Sequence, residues 1–161
     1  MREVVEACPG LGVKYLTIFA FSTENWKRTQ AEVAGLMSLF RRYITREARA
    51  LYEAGVCVRF IGDRVRLEKS LIKMMDDLEA MTKDNTRVHL TVALNYGGRT
   101  ELVDAFNRLL KEHDQNGHSD LITEQMLEQH LYTSGIPDPD LLIRTSGEMR
   151  VSNFLLWQIA Y

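Results

Sequence analysis

YLTIFAFSTENWKRT, residues 15–29, is the stretch whose reading decides the fold. Its first half, Tyr15 to Phe21, is an apolar run without clean alternation, rich in Ile, Phe, Thr and Tyr. Short runs of this kind form strands buried on both faces, as in parallel sheets. The second half, Ser22-Thr23-Glu24-Asn25-Trp26-Lys27-Arg28, brings hydroxyls, a carboxylate, an amide, an indole and a guanidinium together directly after that strand. Ligands of open α/β sheets bind beyond the carboxyl ends of the strands, so this cluster is a candidate site. The plainer alternative is a helix start, with Ser22 or Thr23 closing a turn.

Outward from this stretch, strands and helices alternate. Residues 2–8 read as the end of a helix stopped by Pro9, Gly10 and Gly12. After the strand, Val33, Met37, Phe40, Ile44, Ala48 and Leu51 recur in steps of three and four, the apolar face of one helix over residues 29–54. Gly55 is a candidate for its C-terminal cap. Val56–Ile61 is a second strand, closed by Gly62-Asp63-Arg64. Leu67, Leu71, Met74, Leu78 and Met81 mark a second helix, and residues 86–94 a third strand running into Asn95-Tyr96-Gly97-Gly98-Arg99. A third helix over 100–112 has Leu102, Phe106 and Leu109 inward; residues 113–119 form a surface loop, and a short helix runs from Thr123 through Leu131. Leu141 to Arg144 is a fourth strand. The expected fold class is α/β, a largely parallel central sheet flanked by helices, in a single partial domain over residues 1–161. Right-handed crossovers would line up the polar tails of all four strands on one rim.

Bulk properties narrow the function. The chain is 45 % hydrophobic and 26 % charged, which suits a soluble domain with a real core. A net charge of −2 excludes a broad nucleic-acid footprint, so an anion site must be built from a few placed cations. Cys8 and Cys57 form neither a disulfide framework nor a metal spacing and fit a reducing cytosol as small core residues. His89, His113, His118 and His130 show no ligand spacing and read as sheet, loop and surface residues. No run approaches the length of a membrane span. Met1 leads straight into a helical pattern and Tyr161 ends inside the apolar run FLLWQIAY, so the sequence reads as a fragment of a longer chain.

A second constellation spans residues 140–153, DLLIRTSGEMRVSN. Arg144 and Arg150 flank a glycine turn with hydroxyls at Thr145, Ser146 and Ser152. Guanidinium groups match phosphate oxygens two at a time, and serine hydroxyls and loop amides complete such a shell. The alternative is a surface turn with Arg144 paired to Glu148.

FSTENWKR, VRFIGD, NYGGR, LLIRTSGE and RVSNFLLWQIAY occur here in an order that resembles the cis-prenyltransferases, specifically the bacterial undecaprenyl diphosphate synthase (isoprenyl transferase) group. The resemblance covers essentially the whole chain. It implies an enzyme that extends an allylic diphosphate, usually farnesyl diphosphate, with isopentenyl diphosphate in cis, yielding a polyprenyl diphosphate. It further implies Mg²⁺, a cytoplasmic homodimer, no nucleic acid, and peripheral membrane contact for product release. By matching position, Ser22, Thr23 and Glu24 would line the substrate pocket, Asn25 would serve proton transfer, and Trp26 and Arg28 would contact substrate. Arg144, Arg150, Val151 and Ser152 would hold the diphosphate of isopentenyl diphosphate. Asn95 to Arg99 would be structural. An amide has no protonated state near neutral pH, so Asn25 is expected to orient a diphosphate oxygen or water that takes the proton.

The departures are as informative. The family's Asp-Gly-Asn-Gly-Arg-Trp loop, whose aspartate holds Mg²⁺, has no counterpart here. The second metal ligand, a glutamate, falls just past the last residue, and the arginine-rich C-terminal segment is missing. The implied metal ligands therefore lie outside this chain. The alternative is a non-catalytic subunit that acts by dimerising, or an inactive fragment. The apolar stripes on the first two helices would wall a prenyl tunnel, or serve simply as core.

Overall fold

The computed structural model describes residues 2–115 and 121–160. In chain order these form α1 (Arg2–Ala7), β1 (Tyr15–Ser22), α2 (Gln30–Glu53), β2 (Val56–Ile61), α3 (Lys69–Thr82), β3 (Val88–Tyr96), α4 (Gly98–Gln115) and α5 (Glu124–Glu128). The chain groups into two compact units, residues 1–95 and 96–161.

The first unit is the expected α/β layer. Its parallel sheet has the order β1–β3–β2, with Val56 beside Val88 and Ile61 beside Ala93. β3, the middle strand, is the one buried on both faces: Val88, Leu90, Thr91, Ala93 and Leu94 are all buried. The double burial expected of residues 15–21 is not found, because β1 stands at the end of the order. Only Phe21 on it is fully buried, and Tyr15 is exposed. Apolar content marked both strands; the number of neighbours decided which is buried.

Thr29 starts α2 with a capping box: Glu32 N–H donates to Thr29 Oγ1, and Thr29 N–H donates to Glu32 Oε2 at 3.0 Å. The predicted stripe holds. Met37, Ile44 and Leu51 are buried, with Val33, Phe40 and Ala48 packed at the margin of one core shared with Phe21, Leu71 and Met75. Each fully buried side chain of this size contributes roughly 1.5–3 kcal/mol. On α3 the inward face is Leu71, Met75, Leu78 and Thr82; Met74 is only half-buried and Met81 is exposed. Both sets step by three and four. Thr82 selects between them, since its Oγ1 donates to Leu78 O at 2.8 Å and accepts Val58 N–H at 3.0 Å. Cys8 is buried as expected, whereas Cys57 is only half-buried.

In the second unit α4 turns Glu101, Ala105 and Leu109 inward; Leu102 is half-buried and Phe106 exposed, contrary to the predicted face. A glutamate at the core position hid the true register. Glu101 accepts from Tyr96 Oη (2.5 Å), Tyr132 N–H (2.9 Å) and Gln158 Nε2 (3.1 Å). Burial and the Glu101 carboxylate together push the Tyr96 phenol well above its usual range. α4 continues through His113 to Gln115, so residues 113–115 are helix and not the predicted loop; residues 116–119, His118 included, lie outside the described residues. The predicted fourth strand does not form. Residues 141–144 have no ladder partner among the described residues, and Leu141 and Ile143 are exposed. A strand needs a neighbour to satisfy its backbone groups, and an apolar run does not supply one.

Candidate active site

The cluster after β1 folds into a single 3-10 turn over Thr23–Lys27. Asn25 closes it, with Oδ1 accepting the Ser22 N–H at 2.8 Å. Ser22 stands at the N-cap, as the plainer reading had it, and Asn25 shares the capping as the second half of a capping box. Its amide oxygen is committed, and its Nδ2 makes no bond among the described residues. Ser22, Thr23, Asn25 and Trp26 are half-buried; Glu24 and Arg28 are exposed. Thr23 Oγ1 donates to Glu24 at 3.3 Å, and Arg28 reaches Glu32 at 3.4 Å. Hydrogen bonds from the Thr29 side chain and backbone hold the Glu32 carboxyl below its usual range.

Trp26 is the best anchored member. Its ring meets Phe21 edge-on at 5.2 Å, and the Arg66 guanidinium lies 5.9 Å from its centroid. Its Nε1 donates to Asn95 Oδ1 at 2.7 Å. Asn95 Nδ2 donates in turn to Asp63 O at 2.7 Å, and Asp63 N–H returns to Asn95 O at 3.1 Å. The tails of β1, β2 and β3 therefore meet at one rim, while the fourth tail expected there follows a strand that does not form among the described residues. Sequence reasoning treated Asn95 as turn-shaping and gave Arg66 no role; an amide at a strand end was the one available signal.

The second constellation lies in the second unit. Arg144 Nη1 donates to Arg150 O and to Ser152 Oγ, the latter at 2.7 Å. Glu148 pairs with Arg150 at 3.1 Å rather than with Arg144. Arg144, Arg150, Val151 and Ser152 are all exposed in one turn. Ser146, Gly147, Ser152 and Asn153 have φ of 70°, 67°, 54° and 61°, a conformation non-glycine residues adopt only under local constraint. That constraint is visible at Asn153, which accepts Gly98 N–H on its backbone oxygen (2.7 Å) and Arg99 N–H on Oδ1 (2.9 Å). It thereby satisfies the first donors of α4. Gly98 and Arg99 of NYGGR and Asn153 of RVSN are thus one structural device within this unit.

The Mg²⁺ implied by the resemblance finds no fit here: the described residues contain no group of three or more His, Cys, Asp or Glu able to hold a metal. His130 binds protein instead, with Nδ1 on Met126 O and Nε2 on Glu112, both at 2.8 Å. No helix among the described residues is long and apolar enough to cross a membrane.

Comparison with known proteins defines the class. The profile of the prenyltransferase family described as putative undecaprenyl diphosphate synthase matches residues 1–161. The chain belongs to that family, the isoprenyl transferases. It is 45 % identical over its whole length to an isoprenyl transferase of Clostridium tetani and 48 % identical to one of Chromobacterium violaceum, spanning 64 % and 62 % of their lengths. The chain thus spans somewhat less than two thirds of these curated relatives. A crystal structure of a probable undecaprenyl diphosphate synthase from Campylobacter jejuni matches all of the chain with a TM-score of 0.90 at 32 % identity, over 75 % of that protein. Lavandulyl diphosphate synthase from Lavandula x intermedia, solved in complex with dimethylallyl diphosphate, matches 96 % of the chain at a TM-score of 0.90 and 34 % identity, over 68 % of that protein.

Proposed function

We propose that the protein carrying this chain condenses isopentenyl diphosphate with an allylic diphosphate, farnesyl diphosphate being the expected primer, in cis. The product is a polyprenyl diphosphate, made by a cytoplasmic homodimer that touches the membrane to release it. The observation that carries this reading is the Arg144 turn, where one guanidinium draws the Arg150 backbone and the Ser152 hydroxyl together. Such a turn suits the diphosphate of isopentenyl diphosphate.

In the reaction the allylic C–O bond breaks and pyrophosphate leaves. The double bond of isopentenyl diphosphate supplies the electron pair for the new C–C bond, and a proton is then lost from the carbon next to the resulting cation. Asn25 offers a ligand chiefly its N–H groups, since Oδ1 already accepts the Ser22 amide. It therefore orients a diphosphate oxygen, and that oxygen takes the proton. Trp26 and Arg28 contact the substrates from the same turn.

The test is incorporation of labelled isopentenyl diphosphate. Arg144→Ala is expected to raise KM for isopentenyl diphosphate about 10- to 100-fold, the worth of one charged hydrogen-bonding group. Asn25→Ala is expected to lower kcat with little change in KM. An unchanged KM in Arg144→Ala refutes the assignment of that diphosphate.

A further inference from the structure

We propose that Asn95 is a positioning residue of the candidate site, fixing the Trp26 indole so that a substrate meets its ring and not its N–H. The inference rests on the prenyl-transfer reading above. Asn95 is 2 % exposed and sits at φ 53°, the left-handed region that asparagine tolerates better than most L residues. Its side chain spans two elements, accepting from Trp26 Nε1 and donating to Asp63 O, each at 2.7 Å. The partners fix the direction of the amide, because an indole N–H only donates and a peptide carbonyl only accepts. The Asp63 N–H on Asn95 O, at 3.1 Å, closes the frame.

An indole has one donor, and here it is spent inside the protein. Trp26 therefore has no hydrogen bond to give a diphosphate. What it presents is aromatic carbon, backed by Phe21 and flanked by Arg66. That surface suits the hydrocarbon part of an isoprenoid next to its charged head. Asn25 lies one residue away in the same 3-10 turn, so a tilt of the indole also displaces the amide that faces the diphosphate.

The experiment follows the Trp26 indole resonance in ¹⁵N-labelled protein, identified as the one lost in Trp26→Phe. Asn95→Gly removes the amide while tolerating the positive φ; Asn95→Asp keeps an acceptor for the indole but not the donor to Asp63. In wild type the indole proton is expected downfield and slow to exchange with deuterium. Asn95→Gly is expected to move it upfield, speed its exchange, and lower kcat for prenyl transfer about 10- to 100-fold, the cost of a small misplacement of reacting groups. KM for isopentenyl diphosphate should stay within about twofold. Asn95→Asp is expected to keep the downfield shift with an intermediate kcat. The inference is overturned if Asn95→Gly leaves the indole resonance in place, or moves it with kcat unchanged, or raises KM as much as it lowers kcat. If Asn95→Gly does not fold, rapid indole exchange in wild type, or an upfield shift in Asn95→Asp, overturns it equally. A wild-type protein that transfers no prenyl group refutes the functional reading instead, which separates the two failures.

Discussion

Replacing Gly62 by Ala places a methyl group at the point where the end of β2 crosses closest to β3. Gly62 has φ 121°, and a Cβ built there would lie 2.1 Å from Leu94 O and 2.9 Å from Asn95 O. Both neighbours are backbone, so no side chain can swing aside. The unfavourable φ alone costs roughly 1–3 kcal/mol. The overlap exceeds an ångström against an ordinary contact of about 3.5 Å, so the two strands must part. Parting breaks Asp63 N–H to Asn95 O and Asn95 Nδ2 to Asp63 O, leaving polar groups of a buried residue unpaired at about 1–3 kcal/mol. The sum is about 2–6 kcal/mol, against a total stability of about 5–15 kcal/mol for a typical domain. Gly35 is the control. It lies inside α2 with nothing within 4 Å of its Cβ position, so Gly35→Ala should stabilise by about 0.5–1 kcal/mol through helix propensity. Equilibrium urea unfolding followed by circular dichroism measures both. A Gly62→Ala variant within about 1 kcal/mol of wild type would refute the close-approach argument, because even the lower bound of φ strain would then be missing.

Two further outcomes follow from the second unit. Glu101→Ala should cost about 3–5 kcal/mol in thermal or urea unfolding, since three donors lose a buried carboxylate. Glu101→Gln should cost about half as much, because Gln158 Oε1, buried without a partner among the described residues, can turn toward the new amide; equal losses would show that this rearrangement does not occur. His130 has its pKa raised, by the Met126 carbonyl first and then by Glu112, with Arg108 opposing. A raised histidine pKa gives stabilisation that is complete below about 6.5 and lost as pH rises through the folded value. His130→Gln should therefore remove a decline in stability above about pH 6.5, and a pH profile identical to wild type would contradict it.

The alternation of strands and helices in the first unit was legible because each element carried its own period and punctuation. Thr29 and Gly55 bracketed α2, and VCVRFI followed by Gly62 defined β2. What periodicity could not convey was neighbourhood. It cannot tell a middle strand from an end strand, so residues 15–21 read as doubly buried when β3 is. It cannot tell Met74 from Met75 when both fit steps of three and four, and it cannot find α4's inward face when that face begins with a glutamate. LLIR is apolar enough for a strand but has no partner among the described residues to make it one. The candidate site divides similarly. Its candidate residues were chosen from ordered motifs, while the frame around Trp26 was not legible, since Asn95, Asp63 and Trp26 are brought together by the parallel sheet rather than by spacing.

The two candidate clusters are built on different physical terms, and that difference bears on how each would bind. Around Trp26 the indole N–H and the Asn95 amide are already satisfied by each other and by Asp63 O, so the indole keeps its orientation before any ligand arrives and pays little to organise. Around Arg144 the cation is satisfied by its own turn, through Arg150 O and Ser152 Oγ, and all three residues are exposed. A diphosphate held there, as proposed, need not displace those bonds. Only Nη1 is engaged in them, so the remaining guanidinium donors can meet phosphate while the turn stays closed. Arg150 is held by Glu148 through Nε alone, so its Nη donors also stay open, but the Glu148 carboxylate beside it offsets its charge. Arg144 is thus the organising cation of its turn, and Arg150 the one whose pull on an anion Glu148 weakens.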